Sequence, residues 1–325
     1  MYIFILQHLY NHLFSNEKWA IFAPDFQVKK TIPMNVALFG KSIANNDIPY
    51  VQRLVDRLET MGGQVFVYQP FLTVLRDRIQ FSGRTLQFSG QEDIRGQVDY
   101  LFSIGGDGTL LDTIPLVGNS GIPILGINMG RLGFLSSISK EEIIPAVEEI
   151  VEKKYFLDQR TLLRLESPEG VFGPFNYALN DLTVYKNTPL SILTIHTYIN
   201  NEFLNTYWAD GLIVATPTGS TAYSLSCTGP IITPDSENFV ITPIASHNLT
   251  VRPIVVPDKS VIKIVVEGRG IDCYIGLDSR HHKIKNSLEL IIRKEDFTIN
   301  LLRMSNKNFF QTIREKLKWG LDIRN

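Results

Sequence analysis

Cysteine is scarce in this chain of 325 residues: only Cys227 and Cys273 occur. So distant a pair makes no disulfide framework and no zinc-ligand spacing. It suits a reducing compartment, and a cytoplasmic location is expected. Excess charge of one sign is also lacking, since 32 Lys and Arg stand against 33 Asp and Glu for a net charge of −1. No bulk positive field therefore argues for nucleic acid as a partner. No apolar run approaches membrane-spanning length, so no membrane partner is expected. Long biased tracts and internal repeats are absent. What remains is a globular composition, 44% hydrophobic and 20% charged. The length exceeds one ordinary core, so two domains are expected.

The first 33 residues begin apolar but lack a basic leading segment and a small-residue cleavage site, which argues against a secretory signal. Residues 1–33 are expected to be a loose extension, or a start placed too early. From Met34 the pattern becomes α/β. "NVALFG" reads as a strand, and residues 45–63 as a helix capped by Asn46 or Asp47. Val51, Leu54, Val55 and Leu58 form its apolar stripe, and Gly62-Gly63 stop it. "QVFVYQ", "VDYLFSI" and "IPILGIN" read as further strands. Strands alternating with helices imply a parallel sheet covered by helices over residues 34–140. "KEEIIPAVEEIVEKKYFLDQR" reads as a helix leading out of that unit. Residues 141–305 then carry short alternating runs divided by turn residues, Asn200-Asn201 among them, and read as an all-β, sandwich-like domain. Residues 306–325 read as an amphipathic helix with Phe310, Ile313 and Leu317 on one face, returning to the first domain.

Three glycine-bearing stretches stand out. "SIGGDGTLLDT" (103–113) follows an apolar strand with Gly105, Gly106 and Gly108 around Asp107. Bare backbone there lets phosphate oxygens approach amide N–H groups, Thr109 included. An acid in such a place fits a kinase, in which a carboxylate accepts the proton of an attacking hydroxyl. The spacing is neither a Walker loop nor a dinucleotide fingerprint. "GINMGRLGFLSS" alone reads as a strand turning through Gly130 and Gly133. "ADGLIVATPTGSTAYSLSCTGPI" (209–231) sets hydroxyl residues densely behind a strand that follows Asp210, a surface able to bond a polar ligand from many angles. Asn180-Asp181 opens another strand and alone reads as a turn pair.

Together these segments resemble the NAD kinase family. "GGDGT", "NMGRLGFL", the "ND" pair and "DGLIVATPTGSTAYSLS" stand in that family's order, and "PIASHNLTVRPIVVP" (243–257) is similar to a further family segment. The resemblance runs from about Met34 to the C-terminus. "GGDGT" by itself is shared with diacylglycerol and sphingosine kinases. The resemblance implies an α/β domain, a β-sandwich-like domain and a cleft between them. It implies that Asp107 is the base for the adenosine-ribose 2′-hydroxyl of NAD and that Gly108 contacts the dinucleotide. Asn180 and Asp181 would hold the adenosine part, and Asp210 the nicotinamide end. Thr221, Ala222, Tyr223, Ser224, Leu225 and Ser226 would line the adenine and ribose pocket, with Ala245 nearby. Gly105, Gly106 and Thr109 would form the phosphate loop. ATP with Mg²⁺ would be the phosphoryl donor and NAD the acceptor, in a homodimer or homotetramer.

This chain departs from the family pattern at four places: Asp181 replaces a common glutamate, Asp112 a common arginine, Trp208 a common basic residue, and Thr228 a common glycine. The cation contact to phosphate that the resemblance would supply is thus unassigned. A lipid kinase sharing "GGDGT" and a non-catalytic NAD sensor are the alternatives. The first would not need the hydroxyl-rich run, and the second would leave Asp107 without a task.

Overall fold

The computed structural model describes residues 33–320 apart from 83–84, 131, 189–190, 268–271 and 286–287. The expected extension therefore lies, except for Pro33, outside the described residues.

The first half alternates strand and helix. In chain order it comprises β1 (Val36–Gly40), α1 (Ile48–Thr60), β2 (Val65–Tyr68), α2 (Gln69–Leu75), β3 (Thr85–Phe88) and β4 (Tyr100–Ile104). After these come α3 (Asp107–Leu111), α4 (Ile114–Val117), β5 (Ile124–Asn128), the short β6 (Ile138–Ser139) and α5 (Ile143–Val151). Strands β5-β4-β1-β2-β3 lie side by side and parallel. β1 and β5 are buried throughout, as strands covered on both faces must be, which is why they read as unbroken apolar runs. α1 buries the stripe read from the sequence, Val51, Leu54, Val55 and Leu58. It shares a core with Ile143, Ala146, Val147 and Ile150 of α5. Arg57 spans the two helices with a two-pronged bond to Glu148, 2.6 and 3.0 Å. The expected cap differs: neither Asn46 nor Asp47 bonds the helix start, and the buried Asp47 instead accepts from Lys140 Nζ at 2.6 Å.

The helix expected through residue 160 stops at Val151. Lys153 adopts φ 55°. Its N–H reaches the Ile150 carbonyl while that of Lys154 reaches Glu149. This is the left-handed ending that glycine usually supplies. A lysine in that role hides the stop from a sequence reading, and "YFLDQR" turns out to begin a strand.

The second half holds β7 (Tyr155–Ser167), β8 (Tyr177–Ala178), β9 (Asp181–Lys186), β10 (Leu193–Ile199), β11 (Glu202–Ala209) and β12 (Gly211–Ala215). It continues through α6 (Tyr223–Ser226), β13 (Asn238–Ile244), β14 (Ile254–Pro257), β15 (Ile262–Glu267), β16 (Asp272–Leu277), β17 (Arg280–Lys285) and β18 (Leu288–Met304), and ends in α7 (Phe309–Leu317). Asn200 and Asn201 form the β10–β11 hairpin turn with φ 52° and 70°, as their type led one to expect. Six antiparallel strands, β14-β13-β12-β9-β16-β17, make one sheet. β11-β10-β15-β18 belong to the other, together with β7 against β18. Leu182, Val184, Leu212 and Val214 from the first sheet meet Ile195, Ile264, Leu290 and Ile292 from the second in one apolar core, so the sandwich expected from alternation is present.

The two halves are joined through β18. It pairs with β15 near its start and with β5 at Leu301↔Ile124, so one 12-stranded sheet runs through both. α7 packs back. Its cap Asn308 accepts from the Gln311 N–H at 2.8 Å, Ile313 is buried, and Lys316 bonds the Leu132 carbonyl and lies 5.8 Å from the Phe134 ring centre. Phe310, expected beside Ile313, instead faces solvent at 61% exposure.

Candidate active site

In the parallel sheet, β1 leads outward to β2 and β3, whereas β4 returns to the opposite flank of β1 and leads to β5. Strand order therefore reverses between β1 and β4, and the carboxyl ends of those strands open a crevice. The Gly-rich loop occupies it. Gly105 has φ +154°, and a Cβ there would lie 2.3 Å from Thr109 Oγ1, so no side chain fits. Gly106 and Gly108 have open space where a Cβ would stand, so their backbone is bare toward solvent rather than squeezed.

Asp107 opens α3, and its carboxylate is fixed by three backbone donors. Oδ2 accepts from Phe134 N–H at 2.7 Å, and Oδ1 from Leu135 and Ser136 N–H at 3.1 and 2.9 Å. A Cβ on Gly133 would stand 1.8 Å from Asp107 Oδ1. The "NMGRLGFLSS" stretch, an ordinary turn when read alone, is thus the cradle of Asp107.

Asn180 and Asp181 stand at the start of β9, both buried. Asn180 Oδ1 has no hydrogen-bond partner. Asp181 accepts from Thr183 Oγ1 at 2.9 Å. Burial, and after it the charge of Asp278, pushes the Asp181 carboxyl up to about 7, against the pull of the Thr183 bond. Asp278 itself was not singled out in the sequence. It is half-buried at φ 52° and accepts from Leu179, Asn180 and Asp181 N–H at 2.8, 2.7 and 3.3 Å. Burial raises its pKa, opposed by those bonds and by Arg280. Arg280 bonds the carbonyls of Phe175 and Tyr177. Between them Ser279 Oγ donates to Asp112 Oδ1 at 2.9 Å, and Asp112 pairs with Lys41 at 2.5 Å. This Asp278–Arg280 turn clamps the Asn180-Asp181 backbone and ties it to the far end of the Asp107 loop. Nothing in its spacing announces that role.

Several hydroxyls of the hydroxyl-rich run are engaged by neighbouring protein groups. Thr216 Oγ1 donates to Leu179 O at 2.5 Å, Ser220 Oγ to Pro217 O at 2.7 Å, and Thr221 Oγ1 to Thr218 O at 3.0 Å. Ser224 is enclosed and paired with Thr242 at 2.8 Å, so its side chain is not turned outward as expected. Arg160, held by Asp158, donates to Thr218 Oγ1 at 3.2 Å. Tyr223 and Ser226 are exposed, with Thr221, Ala222 and Leu225 partly so. The pKa of the Tyr223 hydroxyl is raised by burial first, then by Cys227 and by the negative charges of Asp181 and Asp210.

Asp210 pairs with Lys186 at 2.6 Å. Its N–H donates to the Ile244 carbonyl, which puts it beside Ala245, an exposed residue at φ 44°. In the register of β12, Asp181 lies level with Ala215 while Asp210 adjoins Gly211. The two acids are thus five residues, roughly 16 Å, apart along the strand at about 3.3 Å per residue. An elongated polar ligand would span them. Among the described residues no group of three or more metal-ligating side chains is found.

An α/β half with an oriented carboxylate where strand order reverses is thus joined to a sandwich with a polar edge. Residues 36–155 match the ATP-NAD kinase N-terminal domain and residues 179–304 the ATP-NAD kinase C-terminal domain. NAD kinase of Cytophaga hutchinsonii is 45% identical over 293 residues, 90% of this chain and 100% of the relative. That of Flavobacterium psychrophilum is 44% identical with the same coverages. In fold the chain is similar to yeast NADH kinase solved with NADH (TM-score 0.80, 24% identity, 90% of this chain and 89% of that one). It is also similar to an Archaeoglobus fulgidus NAD kinase solved with ATP (TM-score 0.66, 23% identity, 88% and 99%). The chain belongs to the ATP-NAD kinase family.

Proposed function

We propose that this chain transfers the terminal phosphoryl group of ATP to the adenosine-ribose 2′-hydroxyl of NAD, giving ADP and NADP. The observation that carries the reading is the Asp107 carboxylate, fixed by three N–H donors at the strand-order reversal. Oδ2 takes only one of them, which leaves it a lone pair for an incoming hydroxyl. The 2′-oxygen forms a new bond to phosphorus, the bond from phosphorus to the β-phosphate oxygen breaks, and the hydroxyl proton passes to Asp107. Gly105, Gly106 and Thr109 flank the phosphates, and Gly108 approaches the dinucleotide through its backbone. Asn180 supports adenosine recognition with an unpartnered buried oxygen, and Asp181 accepts from ribose hydroxyls. Asp210 and Ala245 take the nicotinamide end, while Thr221, Ala222, Tyr223, Leu225 and Ser226 wall the adenine and ribose, with the enclosed Ser224 bracing them from within through Thr242.

The side chains build no metal cage of their own among the described residues. That fits Mg²⁺ arriving on the phosphates of ATP, which keeps much of its water and needs few protein ligands. Bound there, the ion would neutralise charge on the donor phosphates. Family membership also supports a homodimer or homotetramer. A cytoplasmic location accords with a described chain in which no helix is long and apolar enough to cross a membrane. The functional division at about residue 140 puts the base in the first part and most nucleotide contacts in the second.

The test is incubation of the protein with Mg-ATP and either NAD or diacylglycerol, followed by chromatography. NADP and ADP should form in equal amounts from the first mixture. Phosphorylated lipid instead, or NAD binding without turnover, would overturn the proposal in favour of the lipid kinase or the sensor.

A further inference from the structure

Phosphoryl transfer concentrates negative charge on the donor phosphates, and a protein cation near them is worth far more in a crevice than in water. Arg280 comes near the Asp107 loop but is engaged by the Phe175 and Tyr177 carbonyls and by Asp278. Lys41 is placed differently. It follows the last residue of β1, and the register Gly40↔Ile104 sets it level with Gly105, one strand away. Adjacent strands lie about 4.8 Å apart. Lys41 therefore rises from the other wall of the crevice whose first wall carries the glycine loop. Its ammonium lies 2.5 Å from Asp112, the residue that ends α3. Asp112 is itself held by Ser279 Oγ. The lysine side chain is still 60% exposed, so it is oriented across the loop without being buried.

We propose that Lys41 is a catalytic residue whose ammonium binds the terminal phosphates of ATP, with Asp112 positioning it across the crevice. The inference rests on the kinase reading above. As the bond to the β-phosphate oxygen breaks, the leaving ADP gains negative charge. Lys41 offsets it while staying protonated, and the hydroxyl proton still goes to Asp107. A lysine serves as a point charge with three donors, suited to phosphate oxygens that shift during transfer. The purely structural alternative is a surface ion pair, which would contribute little to stability and nothing to catalysis.

The experiment compares wild type, Lys41→Met and Lys41→Arg in NAD phosphorylation. Calorimetric titration with a non-hydrolysable ATP analogue plus Mg²⁺, and separately with NAD, accompanies the rates. Lys41→Met should lower kcat/KM for ATP on the order of 10²-fold and weaken the ATP analogue, with NAD binding and melting temperature unchanged. Lys41→Arg should recover most of the loss. If Lys41→Met keeps wild-type kcat/KM for ATP, or loses NAD and ATP binding equally, the assignment is wrong. Failure of the wild-type protein to phosphorylate NAD would instead sink the kinase reading itself, so the two failures are distinct.

Discussion

The buried Asp181 carboxyl lies close enough to the charge of Asp278 to be shifted by it, and its environment sets a pH dependence. The Asp181 carboxyl stands near 7 against an ordinary 3.8. Between those values the unfolded chain has lost the proton that the folded chain keeps, so folding takes up a proton. Stability therefore falls as pH rises from about 4 to about 7 and stays lower above. Asp181→Asn removes that penalty. The variant should melt above wild type at pH 8, with the gap closing toward pH 5. Ribose hydroxyls bond best to the ionised carboxylate, so KM for NAD should fall from pH 6 to pH 8 in wild type and stay flat in the variant. Melting curves and KM at those pH values check both, and a pH-independent gap would assign the titration elsewhere. At this scale Asp107 was legible, because glycines crowd around it in the text. The cradle at 134–136 and the Asp278 turn were not, since a backbone N–H donor and a lone aspartate in a turn leave no spacing to read.

Elements were legible where periodicity or turn chemistry is local. The α1 stripe and the Asn200-Asn201 hairpin came out as read. α2 and β3 are short and were overlooked, and the ending at Lys153 was missed because lysine took glycine's place. α7 separates what a helical wheel can say from what packing adds. Ile313 and Phe310 lie three apart on one face, yet Ile313 is 4% exposed and Phe310 61%. Ile313→Ala should cost about 2–4 kcal/mol, as deleting buried methyl groups does, while Phe310→Ala should change stability little. Denaturant midpoints for the two variants test this. Equal losses would mean that Phe310 is covered in solution.

The whole molecule hangs on β18, and that is the part least open to sequence reading. "LELIIRK" marks its start, but the strand runs on to Met304 and touches β5 through a pairing between Leu301 and Ile124. Pairings between residues so distant in the chain have no local signature. The sheet that carries the Asp107 loop is continuous with the one that backs the sandwich. The Asp107 carboxylate and the proposed ligand contacts are thereby held in one frame. The central claim is that Asp107 is the base in phosphorylation of NAD, and Asp107→Asn isolates it. Asparagine has nearly the same shape and can still bond the ribose hydroxyl, but it does not take up the proton. The most direct measurement is kcat of this variant at saturating Mg-ATP and NAD, with an NAD titration and a melting curve beside it. The account predicts a kcat loss on the order of 10²- to 10⁴-fold, with NAD affinity and melting temperature close to wild type. Near-normal kcat in Asp107→Asn would contradict it.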